Sequence, residues 1–390
     1  MKPLFDEERH WLQRKLDIEI PAWSWRKRQT ILSPDLHPLY RLRVASDLTI
    51  EVAQQYPRPL PWNMTWMDHV TRAIHHLESL QAEAFVFLRS LGDMFPGTKI
   101  YVGFSGGKDS MVVADLVRRA GYNWPLIFQD TKIEMASTYA LLRQLRGTEW
   151  DFKWDKSAPA FFPQVFSSSP PTKWNRWCCG TQKHGVATKR EAGHDVIFIS
   201  GIRRDESTKR AGREAIVVNH HRGGVEHIEA NVILDWTETD IWLYTLWRDL
   251  PINEAYKRGW RRVGCYMCPY GGRWNEVLGR YWEPARWKVW DDIMARFLRQ
   301  MFDLDWYQTG SDAWERRYLD AVGSTETPLC VKCRNPLSGI MRAENKAAGR
   351  LNSAQWLCRV CLAEELGFDS PKKLRDYFQP YLAKRPCIAE

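Results

Sequence analysis

One six-residue string constrains this chain more than any other feature: Ser105-Gly106-Gly107-Lys108-Asp109-Ser110. It stands between a short apolar run, residues 99–104, and a stretch of helical periodicity, residues 111–119. A strand that ends in two glycines and restarts as a helix brings bare backbone amides and the positive end of a helix dipole to one point. Lys108 adds an ammonium there, and Ser105 and Ser110 add hydroxyl donors. The string predicts a strand–loop–helix unit that cradles phosphate. It is not the Walker loop, because GxxxxGK[ST] occurs nowhere in the chain.

Around this string, strand and helix signals alternate. Apolar residues from Met67 to Met94 recur at helical spacing (Val70, Ile74, Leu77, Leu80), which predicts one long amphipathic helix. Further strands are expected at residues 126–130 and 195–200, and helices at residues 137–145 and 238–246. Such alternation means βαβ units, hence an α/β fold with a doubly wound, mainly parallel sheet. Residues 1–65 contain Pro, Trp and Arg with little periodicity and read as an arm or accessory module of unassigned fold. Residues 66–320 read as the nucleotide-binding catalytic domain. Beyond a Gly/Ser/Thr/Pro segment, Val322–Pro328, residues 328–390 read as a small zinc-ribbon-like module.

No apolar run is long enough to span a membrane, and the first residues lack the apolar core of a signal peptide, so the expectation is a cytoplasmic protein with no membrane partner. The formal charge is +9, and 21 of the 390 residues are tryptophan. Basic charge interleaved with aromatic rings suits a phosphate-rich partner, an adenine nucleotide or a nucleic acid, although Trp also fills cores and Lys/Arg also solvate surfaces.

Gly201 opens a second polar segment, Gly201-Ile-Arg203-Arg204-Asp-Glu-Ser207 with Arg210, directly after an expected strand end. Open α/β sheets place ligands at strand ends, and guanidinium forks match phosphate or sulfate. Asp130, just past another strand end, either orders a metal-bound phosphate or caps a turn.

The cysteines are grouped. Cys178-Cys179 and Cys265-x-x-Cys268 form two tight pairs, and Cys330-x-x-Cys333 and Cys358-x-x-Cys361 form two more, separated by 24 residues; Cys387 stands alone. Close pairs in a reducing compartment point to metal rather than to disulfides. The second quartet has the spacing of a zinc ribbon, kept basic by Arg342, Lys346 and Arg350. The first quartet satisfies either tetrahedral zinc or a cubane iron–sulfur cluster, and ligand count does not separate them.

These motifs carry a resemblance. Ser105–Ser110 resembles the PP-loop of enzymes that split ATP into AMP and pyrophosphate. Phe128-Gln-Asp-Thr131 with Glu134 and Tyr139, the Gly201–Ser207 segment with Arg210, and Leu234-Asp-Trp-Thr-Glu-Thr-Asp-Ile-Trp242 followed by Tyr256, Gly259 and Gly264-Cys265 are similar to successive signatures of the phosphoadenosine-phosphosulfate reductase family. The resemblance implies an adenine nucleotide α-hydrolase-like fold. It implies nucleotide binding by Ser105, Gly106, Gly107, Lys108, Asp109, Ser110, Asp130, Gly201 and Arg204, and catalytic roles for Lys108, Asp109, Arg203 and Arg210. The Cys-Cys…CxxC arrangement resembles the [4Fe–4S] site of adenosine-5′-phosphosulfate reductases and of proteins that install sulfur in the DNA backbone, with Lys183 and Arg176 offsetting the cluster's charge.

The chain departs from the reductases at two points. Their mobile Glu-Cys-Gly-[Leu/Ile]-His motif is missing, its nearest counterpart being Cys387 beside Lys384 and Arg385, and the phosphate loop, often degenerate in them, is complete. Both departures favour ATP-dependent sulfur transfer to an acceptor, nucleic acid among the candidates, in which sulfide or persulfide displaces AMP. The alternatives are a sulfonucleotide reductase that draws on Cys387 or on a partner's thiol, and a non-catalytic nucleotide- or nucleic-acid-binding subunit. The implied cofactors are the [4Fe–4S] cluster, Zn2+, ATP or a sulfonucleotide, and Mg2+; a sulfur donor or thiol reductant protein is the implied partner.

Overall fold

The computed structural model describes residues 1–45, 47–57, 63–156, 160–168, 170–171, 177–184, 196–220, 226–302, 329–335, 337, 339–350 and 353–383. The segment Val322–Pro328, Arg176 and the tail with Lys384, Arg385 and Cys387 lie outside the described residues. The chain divides into two compact units. The first comprises Met1–Ala158, Gln182–Tyr266 and Arg273–Leu278, and the second Pro159–Thr181, Met267–Gly272 and Gly279–Glu390.

The core of the first unit is a six-stranded sheet built from β6 (Lys99–Gly103), β7 (Leu126–Gln129), β8 (Phe152–Asp155), β9 (Val196–Ser200), β10 (Ile216–His220) and β11 (Glu226–Asn231), in the order β10-β11-β9-β6-β7-β8. All neighbouring pairs are parallel except β10–β11, an antiparallel hairpin at one edge. The apolar runs of β6 and β9 are buried along most of their length because helices cover both faces of a parallel sheet. On one face lies α2 (Trp66–Met94), started by a capping box in which Thr65 accepts from the Asp68 amide. Its apolar stripe, Val70, Leu77, Ala84, Leu88 and Leu91, joins a core with α3 (Lys108–Arg119) and the helix Glu238–Trp247.

Strand order fixes the place of the site. From β6 the chain winds to β7 and β8 on one side, then returns to add β9 on the other side of β6. The loops leaving β6 and β9 therefore diverge from adjacent strand ends and leave a crevice between them, the position where open α/β sheets bind ligands. Those two loops are the Ser105–Ser110 string and the Gly201–Arg203 segment.

Residues 1–55 fold as a five-stranded antiparallel sheet, β1 (Lys2–Pro3), β2 (Trp25–Lys27), β3 (Thr30–Leu32), β4 (Pro38–Val44) and β5 (Ile50–Gln55), with α1 (Asp6–Leu16) between the first two strands. Three of these strands have only two or three residues, and register shifts interrupt β3–β4 and β4–β5. Strands so short and bulged show no sustained two-residue alternation, which is why the sequence offers no fold here.

The second unit contains the helices Phe161–Ser168 and Pro284–Phe302, and a small core of Leu337, Met341, Trp356, Leu357, Leu362, Leu374 and Phe378 around four cysteines. Among the described residues no helix is long and apolar enough to cross a membrane.

Candidate functional site

The Ser105–Ser110 loop is held by its own hydroxyls. The Ser105 amide donates to Ser110 Oγ (3.1 Å), Ser110 Oγ donates to the Gly107 carbonyl (2.9 Å), and the Gly107 amide donates to Ser105 Oγ (3.3 Å). Gly106 lies at φ +69°, a left-handed conformation open to glycine, and faces Thr138, Leu141 and Leu142. Two residues from elsewhere complete the cradle. Asn253 Nδ2 donates to the Gly106 carbonyl and to Thr138 Oγ1, each at 3.2 Å, and the Tyr256 hydroxyl accepts from the Lys108 amide (3.1 Å).

Charge converges on the first turn of α3. Lys108 Nζ bonds Asp109 Oδ2 and Arg203 Nε bonds Asp109 Oδ1, both at 2.7 Å. Both cations are buried. Burial alone would raise the Asp109 pKa, but the Lys108 ammonium and the Arg203 guanidinium outweigh it and hold the carboxyl below its usual range. Arg203 is steadied by Asp205 (3.2 Å) and the Trp236 carbonyl (3.4 Å). Gly201 lets the β9 loop approach: a side chain there would start 3.1 Å from the Asp109 carbonyl carbon. Burial pushes the Tyr256 phenol well above its ordinary pKa, with the Asp109 charge acting the same way, so Tyr256 stays protonated.

The remaining predicted residues are bonded to other partners. Arg204 pairs with Asp235 and donates to the Arg213 carbonyl (3.1 Å). Arg210 pairs with Glu206; burial foremost lowers its pKa, and the Asp109 charge opposes this. Asp130 is buried and accepts from the Lys132 amide and the Tyr139 hydroxyl (both 2.8 Å) and from Trp154 Nε1 (3.0 Å), the geometry of a turn cap.

Sequence reasoning missed Asn253 and Glu238. Asn253 caps the short helix Glu254–Lys257, accepting from the Ala255 amide (3.0 Å), so its signature is that of an ordinary N-cap. Glu238 starts the helix Glu238–Trp247 and pairs with Arg261 (3.3 Å). Burial would raise its pKa, but Arg261 and then Lys108 hold it below the usual range. Its place in the helix's first turn gives it an ordinary dipole role in sequence.

Cys330, Cys333, Cys358 and Cys361 bring their Sγ atoms within 4.8 Å of one another. Tetrahedral zinc with Zn–S near 2.3 Å requires sulfurs about 3.8 Å apart, so the spacing fits one ion, whereas a cubane distributes its thiolates over four irons and spreads them wider. The Arg359–Glu344 pair and Asn345, which bridges Met341 and Leu357, brace the knuckles. Of the other quartet, Cys265 belongs to the first unit and Cys178, Cys179 and Cys268 to the second. None of the four is in a disulfide, so the donor set suits a thiolate-held group. Within the first unit, Cys265 Sγ lies 3.9 Å from Thr131 Oγ1, and Glu134, its β-bridge partner, pairs with Lys183 at 3.7 Å.

Residues 99–270 match the phosphoadenosine phosphosulfate reductase domain. This stretch is a domain of that family. An uncharacterized protein of Methanocaldococcus jannaschii is 28% identical over 228 residues, which is 56% of this chain and 46% of the relative. The chain thus spans about half the length of that relative. An adenosine 5′-phosphosulfate reductase of Shouchella clausii is 27% identical over 176 residues, 44% of this chain and 71% of the reductase. A solved phosphoadenylyl-sulfate reductase from Candida auris covers 50% of this chain and 96% of its own, at 20% identity and a TM-score of 0.37.

Proposed function

We infer that the Ser105–Ser110 loop binds the phosphates of ATP and that the chain is an ATP-dependent sulfur-transfer enzyme. One observation carries this reading: a complete pyrophosphate-type loop whose adjoining cations, Lys108 and Arg203, are drawn to one carboxylate at the crevice between β6 and β9. The acceptor oxygen attacks the α-phosphorus; the Pα–O bond to it forms and the bond to pyrophosphate breaks. Lys108 and the loop amides stabilise the charge building on the departing pyrophosphate, an interaction stronger in the transition state than before it. A sulfur nucleophile then displaces AMP, which leaves with the acceptor's oxygen. Arg203 and Arg210 clamp an anionic group of the substrate. Mg2+ would neutralise the polyphosphate, with Asp109 as its ligand once the phosphates take over Lys108.

Cys178, Cys179, Cys265 and Cys268 would hold a [4Fe–4S] cluster, which when bound supplies one-electron redox capacity. Cys330, Cys333, Cys358 and Cys361 would hold structural zinc. Nucleic acid is the proposed acceptor class, on the strength of the +9 charge and the tryptophan content. A second reading, sulfonucleotide reduction, is favoured by the relationship to an adenosine 5′-phosphosulfate reductase.

Nucleotide turnover by anaerobically purified protein separates the two. Pyrophosphate and AMP from ATP, with no sulfite from either sulfonucleotide, is the expected result. Sulfite release with a thiol reductant, and inert ATP, would overturn it and establish the second reading.

A further inference from the structure

Behind the phosphate loop lies a buried ionic triad that the nucleotide chemistry does not use. Lys2 Nζ on β1 bonds Glu8 Oε2 at 2.7 Å, and Arg26 on β2 bonds the other Glu8 oxygen; all three side chains are about 1% exposed or less. Two cations share one carboxylate, and they reach backbone and ring as well: Lys2 Nζ to the Tyr256 carbonyl (2.7 Å), Arg26 Nε to the Arg28 carbonyl (2.9 Å), and the Arg26 guanidinium over the Trp274 ring (3.7 Å).

The triad grips the segment Tyr256–Gly259 from several sides. Gly259 sits at φ +110°, and a Cβ there would meet the Glu8 carboxyl carbon at 3.1 Å, so the Glu8 side chain lies against the face where a side chain would project. Trp274, stacked on Arg26, donates from Nε1 to the Gly259 carbonyl (3.2 Å). Phe5 packs edge-on against Trp242 (5.7 Å), which packs edge-on against the Tyr256 ring (5.1 Å). On its other side Tyr256 touches the loop: its hydroxyl accepts the Lys108 amide, its ring lies 5.8 Å from Lys108 Nζ, and a Cβ on Gly107 would stand 3.2 Å from its oxygen.

A buried ion set adds little net stability, because desolvation offsets its attraction. What it does is fix geometry, and here the fixed geometry ends on the loop. We propose that the N-terminal sheet is a strut for the phosphate loop and that Lys2 is a positioning residue acting through Tyr256. The consequence for function rests on the reading that the loop binds phosphate; the mechanical link does not.

Hydrogen exchange on the full chain tests the link without any ligand. In Lys2→Met, Glu8 keeps Arg26 as its partner, so no buried carboxylate is stranded. The Gly107 and Lys108 amides are expected to exchange about tenfold faster, equivalent to roughly 1.4 kcal/mol, while the β6 amides of Ile100–Val102 keep their protection. Lys2→Arg restores the slow rate, Tyr256→Phe reproduces the fast one, and adding Lys2→Met to Tyr256→Phe changes it little further. Unchanged loop amides, equal loosening of β6, failed rescue by Arg, or simple additivity would each overturn the strut. A titration with inorganic pyrophosphate accompanies it, and Lys2→Met is expected to bind about tenfold more weakly. Loosened amides in a protein whose parent form binds neither pyrophosphate nor ATP would leave the strut standing and remove the nucleotide reading instead.

Discussion

Asp109 bonds two buried cations, Lys108 and Arg203, and the second of these also pairs with Asp205. With Lys108 and Arg203 both at 2.7 Å, the carboxylate is the counter-ion they share. Asp109→Asn removes it, takes the bonded carboxylate from Lys108 and leaves Arg203 to Asp205, at a cost of about 3 kcal/mol by the measure of broken buried pairs. The pH dependence follows from a depressed folded pKa. The stabilisation is fully present above the unfolded carboxyl value, near 4, and disappears as pH falls through the lower folded value. Asp109→Asn therefore lowers the unfolding temperature at neutral pH and loses part of the parent's decline below about pH 4. Inorganic pyrophosphate should raise the variant's unfolding temperature more than the parent's, because the anion supplies the missing charge. Equal shifts for both would show that the anion binds elsewhere.

At the scale of elements, two glycines join the loop to the sheet for different reasons. Gly106 needs its backbone angle: at φ +69° an alanine costs about 1 kcal/mol, yet its Cβ would meet Thr138, Leu141 and Leu142 at ordinary contact distances of 3.5–3.9 Å. Gly201 needs closeness. Alanine there would press backbone and Cβ atoms of Asp109 at 3.1–3.3 Å, and backbone cannot swing aside as a flexible side chain can. Gly106→Ala is expected to lower stability modestly and leave the Arg203–Asp109 bond intact. Gly201→Ala is expected to spread the β6 and β9 loops and weaken pyrophosphate binding about tenfold, with a smaller loss of stability. Calorimetric titration beside thermal unfolding reads both, and a Gly201→Ala protein with parental affinity would refute the close-approach argument.

The same elements show what was legible in advance. Long or wholly apolar segments announce themselves, so α2, β6, β7 and β9 are visible as patterns, and the glycine-lysine string marks the loop. Strand β8, Phe152-Lys-Trp-Asp155, is four residues at a sheet edge with mixed polarity and falls below what periodicity detects. The triad was invisible for another reason: Lys2, Glu8 and Arg26 have the composition of a solvated surface, and only the fold reveals that they are buried together. Asn253 was hidden likewise, because one side chain serves both as a helix cap and as the clamp on Gly106.

At the scale of the whole molecule, the two units differ in what holds them. The first buries a continuous core along a six-stranded sheet. The module around Cys330–Cys361 has a small apolar cluster, and its four sulfurs sit at the centre of it. Zinc bound to such a set contributes about 10–16 kcal/mol, as much as the entire stability of a typical domain. If the site holds zinc, its removal leaves three buried thiols and the half-buried Cys333 without that attraction, and the module is expected to unfold on its own. Cys358→Ser, or treatment with a strong zinc chelator, should release close to one zinc per chain and expose residues 329–383 to proteolysis. The amides of β6 and β9 in the first unit should stay protected, since their core contains none of those ligands. Iron at these four sulfurs, or a module that resists protease after the metal is gone, would contradict a structural zinc site. Loss of protection in β6 along with the module would instead show that the metal supports the first unit as well, and that its core is insufficient alone.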